Sequence, residues 1–501
     1  MTSTLSSDAV PSVPPPAYDA AQSASLSPPN IVMPADIQVS SSFDTKAFPA
    51  ANSPSEPPPP YQGDPAAKTH QPFLSTEAPP LAYLDIMPRM LTTGSLENEI
   101  APTFDSYPTV IATANQWLSS NPSYMVWKCE TVEKKVDKGP FVDMNSMLHH
   151  DSTFGFNVYV RGLRLWVTPK EPHVQAQQLG PTDPSFGYGL HGGHMMGYSR
   201  VQMRQLMQRQ SLKKTLAALN ERLKSEPLPG QIMNVETAWD KAREGFLLKE
   251  YDPDCMCRHE KGGSSRLYLQ VVRIFYLIGP PAHEEIDIHD TVPQCTMKPS
   301  MNKPPKFQSF TETVYQTGHW LQQQQGIRIV NIVSQECPLR LCFNDVEIET
   351  NSTVEQELFS LTNHFVKVVR VIFVRSKATA SSAYGAICLT SKLFLPVRLG
   401  QKSYETMPVT VWRIASWLRA AGLQIFGVDT QRMLMTNISR GSGVQEDRVD
   451  TTIYGMRAKY WVTGIRVYFG CMYQEPPPHM LPPAPYWEIT QQSSSSTCNL
   501  L

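Results

Sequence analysis

The sequence predicts an α+β fold: a disordered Pro-rich N-terminal arm, then three related modules, each an antiparallel sheet packed by a capped Trp-bearing helix. Three observations predict it. Residues 1–80 hold 17 of the 44 prolines. A helix-start pattern recurs three times, with an aromatic 13 positions before a Trp. A strand-like stretch recurs four times, with an aromatic five positions before an Arg.

The arm comes first. It carries seven acidic residues against two Lys and few large aliphatics. Such a segment buries too little apolar surface to offset the entropy of ordering. Two motifs of the form Pro-Pro-x-Tyr lie in it. One is Pro15, Pro16, Ala17, Tyr18, and the other is Pro58, Pro59, Pro60, Tyr61. A Pro-rich segment is already close to polyproline II and loses little entropy on docking. WW domains offer an aromatic groove for the prolines and a pocket for the tyrosine. The pair therefore reads as WW-domain ligands, and motifs of this form resemble ligands of the HECT-type ubiquitin ligases that carry WW domains.

The helix pattern runs from Phe104 to Trp117, from Phe307 to Trp320 and from Tyr404 to Trp417. Ser106, Ser309 and Thr406 stand where an N-cap hydroxyl would accept from free N–H groups. Ser309 with Glu312 has the form of a capping box. Pro108 and Pro408 fall in the first turn, where a missing N–H is harmless. Ile111, Ala114 and Leu118 share a face, as do Val411, Ile414 and Leu418. Trp117, Trp320 and Trp417 are then core anchors against a sheet.

Strands are expected after each helix, at Met125–Glu130, Ile327–Val333 and Leu423–Val428. The second recurring stretch reads Tyr159 to Arg164, Tyr268 to Arg273, Phe365 to Arg370 and Trp461 to Arg466. Alternation and β-branched residues make these strands. Arg164, Arg370 and Arg466 read as structural anchors. Their stems lie along the sheet while the guanidinium reaches a carbonyl or carboxylate. An anion or lipid-headgroup site is the sharper alternative.

The resulting organisation is an arm over 1–80, a first module over 81–175 and an insertion over 176–265. A second module follows over 266–378, a third over 379–475 and a Pro/Ser-rich tail over 476–501. The insertion has a Gly/His/Met-rich loop, 187–198, and an expected basic helix over 200–226 with Leu212, Leu216, Leu219 and Leu223 on one stripe. That helix reads as docked on a module, or as a contact for an anionic membrane or acidic partner.

The aromatic-x-Ser/Thr-aromatic start, followed by a helix with Trp 13 residues after the first aromatic, resembles the matrix proteins of vesiculovirus-type rhabdoviruses. Those proteins also carry Pro-Pro-x-Tyr in a disordered N-terminal arm. The resemblance covers about 15 residues per copy plus the arm. It implies a viral matrix protein, enlarged by internal repetition. Such a protein lies beneath the virion envelope and, in the infected cell, in host cytoplasm and on the inner face of host membranes. It self-associates into a homo-oligomer, binds the anionic inner leaflet and the viral nucleocapsid, and drives budding. The alternative is a cellular adaptor that brings a WW-domain ubiquitin ligase to membrane cargo, as arrestin-like proteins do. That reading predicts two β-sandwiches without helices.

The chain ends Cys498, Asn499, Leu500, Leu501, the form of a geranylgeranylated C-a-a-X box. One lipid binds marginally, so a second signal such as oligomerisation is needed. Residues 1–11 lack the basic and apolar regions of a signal peptide. With 44 Lys+Arg and 45 Asp+Glu the net charge is −1, unlike a dedicated nucleic-acid binder. No P-loop, nucleophile elbow or dinucleotide fingerprint is found, so the chain is expected to be non-enzymatic, with no cofactor and no metal. Cys255, Cys257 and His259 lack a second ligand pair at zinc spacing.

Overall fold

In the computed structural model the described residues are 81–481, apart from 96–99, 137–141, 152–155, 171–175, 181–210, 242–255, 262–265, 301–304, 343–344, 358–362, 380–382, 400–402, 436–451 and 455–458. The first unit runs β1 (Ala82–Ile86), β2 (Met90–Thr92), β3 (Thr103–Phe104), α1 (Tyr107–Ser120), β4 (Tyr124–Val136), β5 (Leu148–Asp151) and β6 (Phe156–Pro169). The next elements are α2 (Leu212–Ser225), β7 (Gly230–Lys241), β8 (Cys257–Lys261) and β9 (Arg266–Ile278). Then come β10 (Glu285–Thr291), β11 (Cys295–Met297), β12 (Lys306–Phe307), α3 (Phe310–Gln322), β13 (Arg328–Cys342), β14 (Asp345–Ile348), β15 (Val354–Glu357) and β16 (Asn363–Arg375). Last are β17 (Thr390–Phe394), α4 (Met407–Ala421), β18 (Ile425–Met435), β19 (Thr452–Tyr454) and β20 (Lys459–Phe469).

The helices begin where short polar residues leave the extended conformation. Ser309 accepts from Glu312 N, and Glu312 returns a bond to the Ser309 N–H at 2.8 Å, so the capping box forms. Ser106 and Thr406 also sit in extended backbone, but neither side chain caps. A proline follows each within the first turn and supplies no N–H. α4 ends at Gly422, whose φ of +63° suits a residue without Cβ. One face of each helix is buried, for example Tyr107, Val110, Ile111, Ala114, Trp117 and Leu118 in α1.

The same sheet plan recurs. The last strand of each unit is central and antiparallel to the strand after the helix: β6 with β4, β9 with β7, β16 with β13, β20 with β18. An edge strand lies on the other side of three of them, in the orders β1-β6-β4, β10-β16-β13 and β17-β20-β18.

The described residues therefore hold four such units, where the repeat pattern predicts three and an insertion. Residues 212–278 carry helix, long strand, short strand and long strand, and β7 and β9 pair across the expected boundary at 266. The unit escapes the Trp pattern because Arg222 stands ten residues after the helix start, where the others have Trp117, Trp320 and Trp417. The following leucine persists, as Leu118, Leu223, Leu321 and Leu418, all buried. The helix expected over 200–226 begins at Leu212, because extended Ser211 accepts from Lys214 N and caps it there. Its four stripe leucines are buried as expected.

In each unit one short strand between the two long ones pairs outside the unit. β8 pairs β6, β15 pairs β9, β19 pairs β16, and β5 pairs β20. Every unit thus hands a strand to the unit before it, and the first hands one to the fourth. The order closes into a cycle. The apolar cores are shared the same way. Leu81, Tyr83, Met147 and Trp166 of the first unit pack in one cluster with Met407, Val411, Ile414, Trp417 and Ile465 of the fourth. Each such large apolar side chain contributes roughly 1.5–3 kcal/mol on burial.

Candidate functional site

The strands after the helices, β4, β7, β13 and β18, meet along polar contacts at the centre of the cycle. Each carries a bulge near its start, and the residues just past the bulges are Lys128, Asn234, Asn331 and Gly427. A bulge re-aims a side chain out of the regular ladder. Here it aims at a carbonyl of the preceding unit. Asn331 Nδ2 donates to Val235 O at 2.8 Å, and Asn234 Nδ2 donates to Cys129 O. Lys128 Nζ donates to Val428 O and closes the cycle. It also donates to Asn331 Oδ1 at 2.8 Å, joining the first and third units. Lys128 is 4 % exposed and Asn234 is fully buried.

A second ring of contacts lies beside the first. Glu236 accepts from Thr131 N at 2.9 Å and from its hydroxyl. Asp429 accepts from Ser334 N at 2.8 Å, and Glu130 accepts from the Thr430 hydroxyl. The third unit has Val333 at this position; there the Thr237 hydroxyl bonds Gln335 at 3.0 Å. Burial pushes the Glu130 carboxyl above its usual range, and Lys128 and Arg164 pull it part of the way back.

The recurring arginines join these rings. Arg164 grips Asp85 with two bonds of 2.6 Å and reaches Thr430 Oγ1 at 3.1 Å. Arg370 grips Asp290 at 2.7 and 2.8 Å and reaches Thr237 Oγ1 at 2.9 Å. Both are buried. Arg273 bonds Glu236 at 2.8 Å, donates to Thr131 and lies 4.6 Å over the Tyr107 ring. Arg466 donates to Ser391 Oγ at 3.0 Å and lies 4.1 Å over Phe310. Each thus touches its own sheet and the preceding unit. In Arg164 and Arg370 the planar fork is matched by a carboxylate on the neighbouring strand, which is where an outside anion would have to sit.

The tryptophans differ among themselves. Trp117 and Trp417 are buried, and Trp417 Nε1 donates to Glu475 at 2.9 Å. Trp320 is half-buried and stacks flat on His289, ring centroids 3.8 Å apart. Burial holds the His289 imidazole below its usual range, against the pull of Asp290 and Asp287.

At one junction three arginines surround Glu133. Arg258 of the second unit is bidentate, Arg432 of the fourth is 3.0 Å away and Arg161 3.6 Å. Burial raises the Glu133 carboxyl, but the guanidiniums of Arg258, Arg432 and Arg161 outweigh it and hold the group well below the carboxylate range.

Pro15, Pro16, Tyr18, Pro58, Pro59, Tyr61 and Cys498 lie outside the described residues, as does Cys255. Among the described residues, no group of three or more His, Cys, Asp or Glu could hold a metal, and no helix is long and apolar enough to cross a membrane. Lys128, Asn234, Asn331, Asp85 and Asp290 carry no sequence motif, and the repeat pattern does not single them out. What the arrangement does chemically is bind four units to one another through buried, directional bonds. Comparison with protein-family models, with curated proteins and with solved structures finds no match.

Proposed function

We propose that the chain is a viral matrix protein whose body is one module repeated, and that it self-assembles beneath the envelope. On this reading it bridges the anionic inner leaflet and the nucleocapsid. Budding proceeds through its Pro-Pro-x-Tyr motifs, which recruit WW domains of HECT-type ubiquitin ligases. The observation that carries the reading is the pair of motifs, Pro15 to Tyr18 and Pro58 to Tyr61, in one acidic Pro-rich arm ahead of repeated helix-on-sheet units. The shared strand order of the units favours repetition of one module. Prenylation at Cys498 supplies a reversible anchor, and several chains in one assembly make it firm by avidity.

The test is release of enveloped particles from cells expressing the chain alone, beside a Tyr18→Ala/Tyr61→Ala double variant. Release that falls in the variant supports the reading. No release, with the chain held on a ubiquitin ligase inside the cell, favours the adaptor alternative. An arrestin-like adaptor calls for two helix-free β-sandwiches, and the described body instead has a helix in each unit.

A further inference from the structure

The third and fourth units build the same aromatic corner. In each, a Trp stands ten residues after the helix start, Trp320 in α3 and Trp417 in α4. Each packs on the Phe three residues past the recurring arginine. Ring centroids lie 5.6 Å apart for Trp320 and Phe373, and 5.7 Å apart for Trp417 and Phe469. Each Trp is also covered from the edge strand, by the residue just before the one opposite that arginine. In β17 this is Lys392, with Nζ 5.4 Å from the Trp417 ring. In β10 it is His289, stacked on Trp320 at 3.8 Å.

The corner of the fourth unit is filled by the chain itself. The segment just past β20 lies against it. Tyr473 stands edge-on to Trp417 and Phe469, with centroids 5.4 and 5.3 Å away. Glu475 accepts from Trp417 Nε1 at 2.9 Å and from Lys392 Nζ at 2.5 Å. Trp417 is left 4 % exposed. In the third unit the chain past β16 goes elsewhere, and Thr379 Oγ1 donates to Gly326 O at 2.9 Å. No described carboxylate bonds the Trp320 indole N–H, and that residue stays half-buried. The charges around it suit an anion. Asp290 is gripped by Arg370, and Asp287 is paired with Arg375 at 2.8 Å. The exposed Arg375 guanidinium lies 4.7 Å over Phe373, the ring that matches Phe469.

We propose that Trp320, His289 and Arg375 form a docking site for an acidic peptide segment of a partner protein. One Glu or Asp carboxylate sits there as Glu475 sits in the fourth unit. The indole N–H donates to one oxygen and an imidazole N–H to the other. Hydrogen bonds to an ionised acceptor are the strong ones, and the aromatic rings hold the flanking chain. The filled corner shows the ligand's form: an aromatic two residues before the acid and a proline after it, as in Tyr473, Gln474, Glu475 and Pro476. The inference goes beyond the envelope reading and does not rest on it.

Fluorescence polarisation with the full chain tests it. The probe is a labelled peptide, Met-Tyr-Gln-Glu-Pro-Pro-Pro, the sequence of residues 472–478. It should bind saturably, and the same peptide with Gln for Glu should bind about tenfold or more weaker. Trp320→Phe keeps a ring and removes the N–H, and should weaken the acidic peptide by a similar factor. His289→Leu installs the residue that the first unit has at this position, Leu84, and should weaken it as well. A second reading needs no variant fold to survive: in the indole N–H spectrum of the wild type, titration should shift the Trp320 signal and leave that of Trp417 in place. No saturation by about 1 mM peptide would overturn the proposal. Equal affinity for the Glu and Gln peptides would overturn it too. So would binding that persists in Trp320→Phe or moves the Trp417 signal instead, since the probe would then be displacing Glu475 in the fourth unit.

Discussion

Lys128 and Asn331 belong to units that are neighbours neither in sequence nor around the cycle, and their contact is the most demanding feature of the centre. Asn331→Ala removes two bonds at once. Val235 O loses its donor, and a buried acceptor without a partner costs about 1–3 kcal/mol. Lys128 Nζ loses one of its two acceptors, a charge-assisted bond of roughly 1.5–3 kcal/mol. The sum is about 2.5–6 kcal/mol. Lys128→Met keeps the stem, removes the charge and strands Val428 O, and breaking such a buried charged contact costs about 3–5 kcal/mol. In the double variant part of the loss is counted once, because the Lys128–Asn331 bond can be broken only once. Urea unfolding followed by tryptophan fluorescence should therefore give a coupling of about 1–3 kcal/mol. Additivity within about 0.5 kcal/mol would refute the contact.

Other consequences are simpler. Gly427 lacks a donor where the other units have Lys128, Asn234 and Asn331; an added Cβ meets Tyr468 at 3.5 Å, ordinary contact, so Gly427→Ala should raise stability by about 0.4–1 kcal/mol, read as a higher urea midpoint, and a fall would mean the strand is tighter there than described. Ser309→Ala should cost about 1 kcal/mol through its lost cap, while Ser106→Ala, whose hydroxyl meets only Thr109 Oγ1 at 3.2 Å, should stay within about 0.5 kcal/mol; equal effects on thermal unfolding would contradict the cap geometry. The Glu133 carboxyl is held low, so its contribution is present above the unfolded value of about 4.3 and is lost as pH falls toward the folded value. Acid titration of Glu133→Gln should show a flatter loss of stability below about pH 4; a slope equal to wild type would show that the three arginines do not grip this carboxylate.

The sequence made the helices legible where an unusual residue repeats at fixed spacing. Trp117, Trp320 and Trp417 did so, and Arg222 at the matching place hid the second unit. The arginine strands were legible because alternation is a local property. Their partners were not. Asp85 lies 79 residues before Arg164 and Asp290 lies 80 before Arg370, and nothing local ties one to the other. The central residues drift in register as well. Lys128 and Asn331 follow their tryptophans by eleven residues and Gly427 by ten, so a fixed-spacing search passes over them. Least legible of all is the exchange of β5, β8, β15 and β19. A strand of three to five residues has no periodicity to read, and its partner is chosen by the assembled sheet.

The pairing of β5 with β20 is the strand pairing that closes the cycle, where the first and fourth units meet without a covalent link. His150 lies directly opposite Tyr460 in that register, and facing strand positions suit a disulfide. The measurement is oxidation of a dilute His150→Cys/Tyr460→Cys chain, with the linked peptides identified by mass spectrometry beside the wild type. The closed cycle predicts a 150–460 link within single chains. No link, or a link formed only between chains, would contradict it.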